Sequence, residues 1–369
     1  MTMPPIDPAT LLLEEGTIHL QSGGEAPLPR AVLSAYAAYA AHKPAGAAGR
    51  AELEKTLERV RGRLARFAGT ARRHVGFVNS ASAALVAAVS ALDWRAGDSI
   101  VTLADEYPSL ALAGLGLERF GVAVQLIEAS DDPIPALLAG LDARTRLVLV
   151  SHVSFRHGRR LDIAALASEL HNRGIALGVD ASHSLGVLPV PVDACDFVVS
   201  CGHKFLLGSH GTGLLFWNAA RLGEPRAPVG WFSVETYGVD GGEMTFARKA
   251  GAAAFELGNP DFPALYALEA GLDVLEAAGM EAITRHALAL SGELRDRLET
   301  LGWDVWTPHA TTARGTSIAI RTAAAGALAE RLAGERIHVA AGEGRLRLSV
   351  HGFNTAADIE TAASKLGAP

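Results

Sequence analysis

The 369-residue sequence predicts an α/β protein: a mostly parallel sheet sandwiched by helices, followed by a smaller α+β region. Three observations predict it. From residue 74 to 217, short apolar strand-like runs alternate with helix-like segments, the pattern of a parallel sheet covered on both faces. From about residue 260 this alternation gives way to longer helices and then shorter strands. The chain also exceeds one ordinary core, and its composition (49% hydrophobic, 20% charged) is globular.

Taken in order, residues 30–42 and 50–68 carry apolar positions at helical spacing, and the second stretch, AELEKTLERVRGRLARFAG, ends in a glycine stop. HVGFVN (74–79) reads as a strand and SASAALVAAVSAL (80–92) as the helix after it. SIVTLAD (99–105), a helix near 108–120 and AVQLIEA (123–129) repeat the unit. LVLVSHV (147–153), a helix at 161–173, ALGVD (176–180), FVVS (197–200) and GLLFW (213–217) complete the expected sheet. Helices at 263–278 and 280–301 follow, then strands WDVWT (303–307), TSIAIRT (316–322), IHVAA (337–341) and LRLSV (346–350).

Bulk properties exclude several function classes. A net charge of −7 gives no basic footprint for nucleic acid or an anionic membrane. Cys195 and Cys201 are the only cysteines, too few for a disulfide framework and badly placed for a metal cluster, so no metal is expected. The N-terminus lacks a basic region and a long apolar core, and no run of about 20 apolar residues occurs. No signal peptide or membrane span is expected, and the cytoplasm is the default location.

The chemistry concentrates between Gly178 and Trp217. An apolar run ends in Asp180, with His183 three residues on; a second apolar run leads to Ser200, Cys201, Gly202, His203 and Lys204. A lysine just after a strand, in a loop with histidine and glycines, suits an amine that forms a Schiff base with a carbonyl. An aspartate closing the preceding strand suits the pyridinium nitrogen of pyridoxal 5'-phosphate (PLP), which it keeps protonated.

Other residues fit around that pair. Asn79-Ser80-Ala81-Ser82-Ala83 opens a helix, and its free amides form an anion site suited to phosphate; alone, it is an ordinary serine N-cap. Tyr107 is placed to stack on a pyridine ring, although a half-buried loop tyrosine would look the same. His183 is placed to reach the phenolic oxygen of the cofactor. Arg345 and Arg347 share a face of one strand. Arg345 reads as solvated, whereas Arg347, inside an apolar strand, calls for a buried carboxylate partner. The glycines at 114, 116 and 121 do not follow a strand, which dismisses a nicotinamide site.

These blocks together resemble the class V aminotransferase family of fold-type I PLP enzymes, from about residue 16 to 360. The family includes cysteine desulfurases, kynureninases, isopenicillin-N-epimerase-like enzymes and C–S lyases. The resemblance implies that Lys204 carries the cofactor, Asp180 binds its ring nitrogen and Tyr107 stacks on the ring. It places Ser80, Ala81, Ser82 and His203 at the phosphate. Cys201 stands where cysteine desulfurases commonly have a phosphate-binding serine, so it is read as a cofactor contact and not as a nucleophile. Arg347 in RLRLSVHGFNT matches the arginine that grips the substrate α-carboxylate, with Arg345 and Arg156 as second candidates. Phe255-Glu256-Leu257-Gly258-Asn259-Pro260 resembles the segment that reaches a neighbouring subunit's phosphate, Asn259 standing where threonine is frequent. A homodimer with shared sites follows, with Trp231 and Thr212 as weaker candidates for that surface. Residues 16–258 would form the large cofactor domain and 259–369 the small one, with 1–15 packing on it.

Departures from the family narrow the expected activity. The segment Ile337 to Gly344 is short and has no cysteine, which argues against desulfuration through a mobile cysteine. His152 to Gly158 and Gly230 to Ser233 look closer to kynureninase and epimerase-like relatives, yet kynureninases usually have tyrosine where this chain has His203. Aminotransferase-like chemistry on an α-amino acid ranks first, then a C–S or other β-lyase, then an epimerase, with kynureninase-type hydrolysis last. The rival of another class is a non-catalytic binding protein on the same fold, and an intact Lys204, Asp180 and Arg347 argue against it.

Overall fold

Alternation along each strand sorts side chains onto two faces, and the computed structural model, which describes residues 3–128, 130 and 132–369, shows both faces filled. Before the sheet come β1 (Ile18–His19), α1 (Ala31–His42) and α2 (Gly46–Phe67). The sheet itself holds β2 (Val75–Val78), β3 (Ser99–Leu103), β4 (Ala123–Ile127), β5 (Thr145–Ser151), β6 (Ala176–Asp180), β7 (Phe197–Cys201) and β8 (Gly213–Trp217). Their order is β2-β8-β7-β6-β5-β3-β4. β7, β6, β5, β3 and β4 pair in parallel, while β8 runs antiparallel to both β7 and β2.

Leu147, Leu149, Phe197, Val199, Leu215 and Trp217 face one core, with α3 (Ala81–Ser90) and α4 (Pro108–Leu115) over it. Val148, Val150, Val198, Leu214 and Phe216 face the other, with α2 and, further along the chain, α6 (Ile163–His171). α2 turns Leu53, Leu57, Val60 and Leu64 inward at helical spacing. The short α5 (Pro133–Ala139) precedes β5, and α7 (Ala219–Leu222) follows β8.

A hairpin of β9 (Val234–Asp240) and β10 (Glu243–Arg248) turns through Gly241 and Gly242, both at positive φ, and all its side chains but Val234 are exposed. The chain then enters α8 (Phe262–Ala278) and α9 (Met280–Thr300), β11 (Ser317–Arg321), α10 (Ala325–Gly334), β12 (Ile337–His338), β13 (Ala340–Gly342), β14 (Arg345–Ser349) and α11 (Ala356–Leu366). β14 lies between β11 and β13, and β12 pairs in parallel with β1. The Ile6 amide donates to the Gly352 carbonyl at 3.1 Å, tying the N-terminal segment to the chain just after β14.

Several expected bounds shift. WDVWT forms no strand; Val305 makes one isolated bridge to Ile320. The helix expected near 108–120 stops at Leu115, and a separate 3-10 turn (Glu118–Phe120) leads to Gly121 at positive φ. IHVAA splits into β12 and β13. The last residue of the expected strand 123–129 lies outside the described residues.

Candidate active site

Five parallel strands deliver their C-terminal ends to one place, the edge where open α/β sheets hold ligands. Asp180 ends β6 and Cys201 ends β7; Ser80 follows β2, Tyr107 follows β3 and Phe155 follows β5. Between them lies a cavity of about 450 Å³, within the range of small-molecule sites. Ser80, Ala81, Ser82, Tyr107, Asp180, His183, Cys201, His203, Lys204 and Arg347 all line it.

The loop bearing Lys204 is fixed by its own backbone. The Gly202 amide donates to the Thr212 carbonyl (2.9 Å), Gly208 to Gly202 (2.8 Å) and Leu207 to Lys204 (3.0 Å). Phe205, Leu206 and Leu207 are fully buried beneath it. The Lys204 Nζ lies 3.4 Å from His183 Nε2 and 5.8 Å from the centre of the Tyr107 ring. Burial, then the charges of Lys204 and Arg347, hold His183 well below the ordinary histidine range. A neutral imidazole accepting from a charged Lys204 at Nε2 carries its proton on Nδ1, and that buried nitrogen has no partner. Asp180 Oδ1 accepts from the Ser182 amide at 2.8 Å.

Close backbone approach shapes two walls. A Cβ on Gly23 would sit 2.7 Å from Ser349 Oγ and 3.1 Å from His183 Cε1, so a side chain there would have to push the Ser349 hydroxyl or His183 aside for the N-terminal segment to close over them. A Cβ on Gly213 would sit 2.2 Å from the Ser80 carbonyl oxygen, so β8 can run against the start of α3 only as glycine. There Ser80 Oγ caps the Ala83 amide at 3.1 Å, while the Ala81 and Ser82 amides are among those a helix leaves without an internal acceptor. His203 stacks on His210, with ring centroids 4.3 Å apart, and is held down to about 4 by burial, then by Lys204 and His210. Burial pushes the Cys201 thiol up, which disfavours the thiolate a nucleophile needs.

Arg347 is 5% exposed on the central strand of the small sheet. Nη1 donates to the Phe155 carbonyl, Nε has no partner, and among the described residues no carboxylate pairs with it. Burial, then the neighbouring Arg345, pulls it down to about 10. The carboxylate partner expected for it is thus not found among the described residues.

Four assignments need correction or relocation. Arg345 is not solvated: it is 8% exposed, lines the cavity and pairs with Glu343 at 2.9 Å. Arg156 does not line the cavity; it also pairs with Glu343, at 2.8 Å. Thr212 is buried, which removes it from any outer surface. Asn259 also lies outside this cavity, its Oδ1 accepting from Arg50 Nη1 at 2.7 Å.

Other neighbours carried little sequence signal. Phe155 meets Tyr107 edge-on, with centroids 5.2 Å apart. Glu106 accepts from the amide (2.6 Å) and hydroxyl of Ser151, the residue registered opposite Asp180. Burial above all lifts its carboxyl to about 7 against the bonds from Ser151, with Asp180 and Asp105 adding to the rise. Its position was visible in the sequence; its bonds from Ser151 were not.

Unpaired amides at a helix start, the partnerless His183 Nδ1 and Arg347 Nε, and an aspartate with an amine nearby form a set of groups that fits PLP and an amino acid. Comparison with known proteins agrees. The aminotransferase class-V family profile matches residues 18–361. The chain is 28% identical over 258 residues to a probable cysteine desulfurase of Methanothermobacter thermautotrophicus, covering 67% of this chain and 62% of that protein. It is 30% identical over 276 residues to a kynureninase of Deinococcus radiodurans, covering 72% and 65%. The match thus spans less than two thirds of either relative. The fold is similar to that of an apo cysteine desulfurase from Thermococcus onnurineus, at TM-score 0.89 and 22% identity, covering 99% of this chain and 97% of that one. No helix among the described residues is long and apolar enough to cross a membrane. The chain belongs to the class V aminotransferase family of fold-type I, PLP-dependent enzymes.

Proposed function

We propose that this protein transforms an α-amino acid, with Lys204 as the cofactor-bearing amine and as the base at the substrate Cα. The observation that carries the reading is Arg347, a buried guanidinium with no carboxylate partner among the described residues, lining the same cavity as Lys204 and Asp180. PLP held through a Schiff base to Lys204 supplies an electron sink for the substrate Cα. Asp180 would hold the ring nitrogen protonated, Tyr107 would lie against the ring, and the α3 amides with Ser80, Ser82, Cys201 and His203 would surround the phosphate. Arg347 would grip the α-carboxylate through two parallel hydrogen bonds. Lys204 Nζ, freed by the incoming amine, would take the Cα proton, and neutral His183 is placed to accept a hydrogen bond from it.

Transamination is the first expectation, then β-elimination, epimerisation and hydrolysis of the kynureninase type. Desulfuration through a mobile cysteine has no support: residues 337–344 contain no cysteine, and Cys195 and Cys201 are both buried. We assign the working form as a cytoplasmic homodimer. Exposed Leu112, Trp231, Tyr237, Val239, Met244 and Phe246 supply apolar surface for it, and Asn259 stands outside its own cavity, where it could serve a neighbour's.

Reconstitution with PLP tests the central reading. The wild type should gain a visible absorbance band, and borohydride should fix a pyridoxyl group on Lys204, detected by mass spectrometry. Lys204→Ala should show neither. A wild-type protein that takes up no PLP would overturn the reading. An amino-acid panel separates the reactions: cofactor converted to its amine form and restored by a keto acid marks transamination, and pyruvate with ammonia marks a lyase.

A further inference from the structure

Two guanidiniums on β14 enter the cavity side by side, because residues two apart share a strand face. Among the described residues Arg347 has no acidic partner. Arg345 has one, and the geometry of that pair is unusual. A single oxygen, Glu343 Oε2, accepts from Arg345 Nη1 at 2.9 Å and from Arg156 Nη2 at 2.8 Å. Both arginines are also held from elsewhere: Arg345 lies 4.8 Å from the Phe155 ring centre and Arg156 5.9 Å from that of Trp306. Glu343 is anchored far less. It sits in the turn between β13 and β14 at φ +53, a conformation costly for a residue other than glycine, and its side chain is 49% exposed. A carboxylate-sized position between two fixed guanidiniums is thus filled by the protein's own carboxylate, from a strained and solvent-facing turn.

Charge balance points the same way. Arg345 and Arg347 bring two positive charges to the cavity, and Arg156 just outside it adds a third; against these three stands Glu343 with one negative charge, and the substrate α-carboxylate on Arg347 accounts for only one of the two left over. We propose that Glu343 is a displaceable stand-in, and that the site selects α-amino acids carrying a second anionic group on the side chain, a carboxylate or its sulfur analogue, which takes the place of Glu343 on Arg345. The inference rests on the assignment of Arg347 to the α-carboxylate.

Equilibrium binding to the PLP-loaded protein tests it, using glutarate and valerate, which share a five-carbon chain and differ by one carboxylate. Calorimetry should give glutarate about tenfold tighter binding than valerate. Glu343→Gln should widen that gap by removing the competing carboxylate, and Arg345→Met should close it. Equal binding of the two ligands to wild type and to Glu343→Gln, with valerate lost in Arg347→Ala, would overturn this inference and leave the proposed function standing. Binding of both ligands unchanged in Arg347→Ala would overturn the assignment of the α-carboxylate, and this inference with it.

Discussion

Arg347 is held by its strand and by the Phe155 carbonyl, so removing its head group leaves the site standing but without its anion contact. Arg347→Ala should raise KM sharply and lower kcat as well. The carboxylate clamp both binds the substrate and keeps the Cα–H bond turned toward Lys204. A loss of roughly 100-fold in kcat/KM is expected, the scale of truncating one side of a buried charge pair. Lysine should rescue poorly, because it brings a point charge without the planar fork. Steady-state kinetics with the preferred amino acid decides it, and an unchanged KM in Arg347→Ala would remove the residue from substrate binding. At this scale the sequence was most legible where a residue's chemistry is rare in its setting. A lysine after a strand, an aspartate ending one and an arginine inside an apolar one each stood out. Glu343, Glu106 and the burial of Arg345 did not, because a carboxylate in a Glu-Gly turn and an arginine near a strand end look the same whether solvated or paired.

α2, β2 and the segment before Asn259 meet at one buried ion pair. Arg61 donates to Glu256 through Nη1 (2.7 Å) and Nη2 (2.9 Å), and Glu256 also accepts from the Phe77 amide at 3.0 Å. Glu256→Ala strands a buried guanidinium and a strand amide together, and should lower stability by about 3–5 kcal/mol. The double variant Arg61→Met with Glu256→Leu should recover much of that loss, since two packed apolar groups need no partner. Denaturant unfolding of both variants checks this; a double variant no better than Glu256→Ala would show that the pair is not what holds the three elements. The elements legible in the sequence were those with a clear period or an apolar run, such as α2 and the five parallel strands. β9 and β10 escaped because their side chains, Val234 apart, face outward and leave no burial pattern to read. WDVWT had the right composition, but its neighbours allow it a single bridge, so tertiary context overrode propensity.

Across the molecule, three histidines away from the cavity are held neutral, each chiefly by burial: His19 at about 4, His152 at about 3 and His351 at about 4. At His351 the reason is plain: Nε2 faces the Phe205 carbonyl at 2.9 Å while Nδ1 accepts from the Gly352 amide at 2.6 Å, so a second proton would break one bond. Their folded values lie below the unfolded value near 6.5, so their contribution is complete above that pH and is lost as pH falls toward 4. Glu106 works in the opposite sense. Its folded value of about 7 exceeds the unfolded 4.5, so its contribution is complete in acid and is lost as pH rises through 7. These histidines, with His74, His183 and His203 lowered in the same sense, outnumber Glu106 and should decide the direction: the melting temperature should be highest near neutrality and fall between about pH 6.5 and 4. Glu106→Gln removes only the opposing slope. It should melt higher than wild type at pH 8, by at most about 3 kcal/mol of stability, and lose stability more steeply than wild type as the pH drops from 7 to 4.5. Calorimetric melting across pH 4.5–8 checks both slopes. A Glu106→Gln protein less stable than wild type at pH 8 would mean that the folded protein does not raise the carboxyl above its unfolded value, its bonds from Ser151 outweighing its burial.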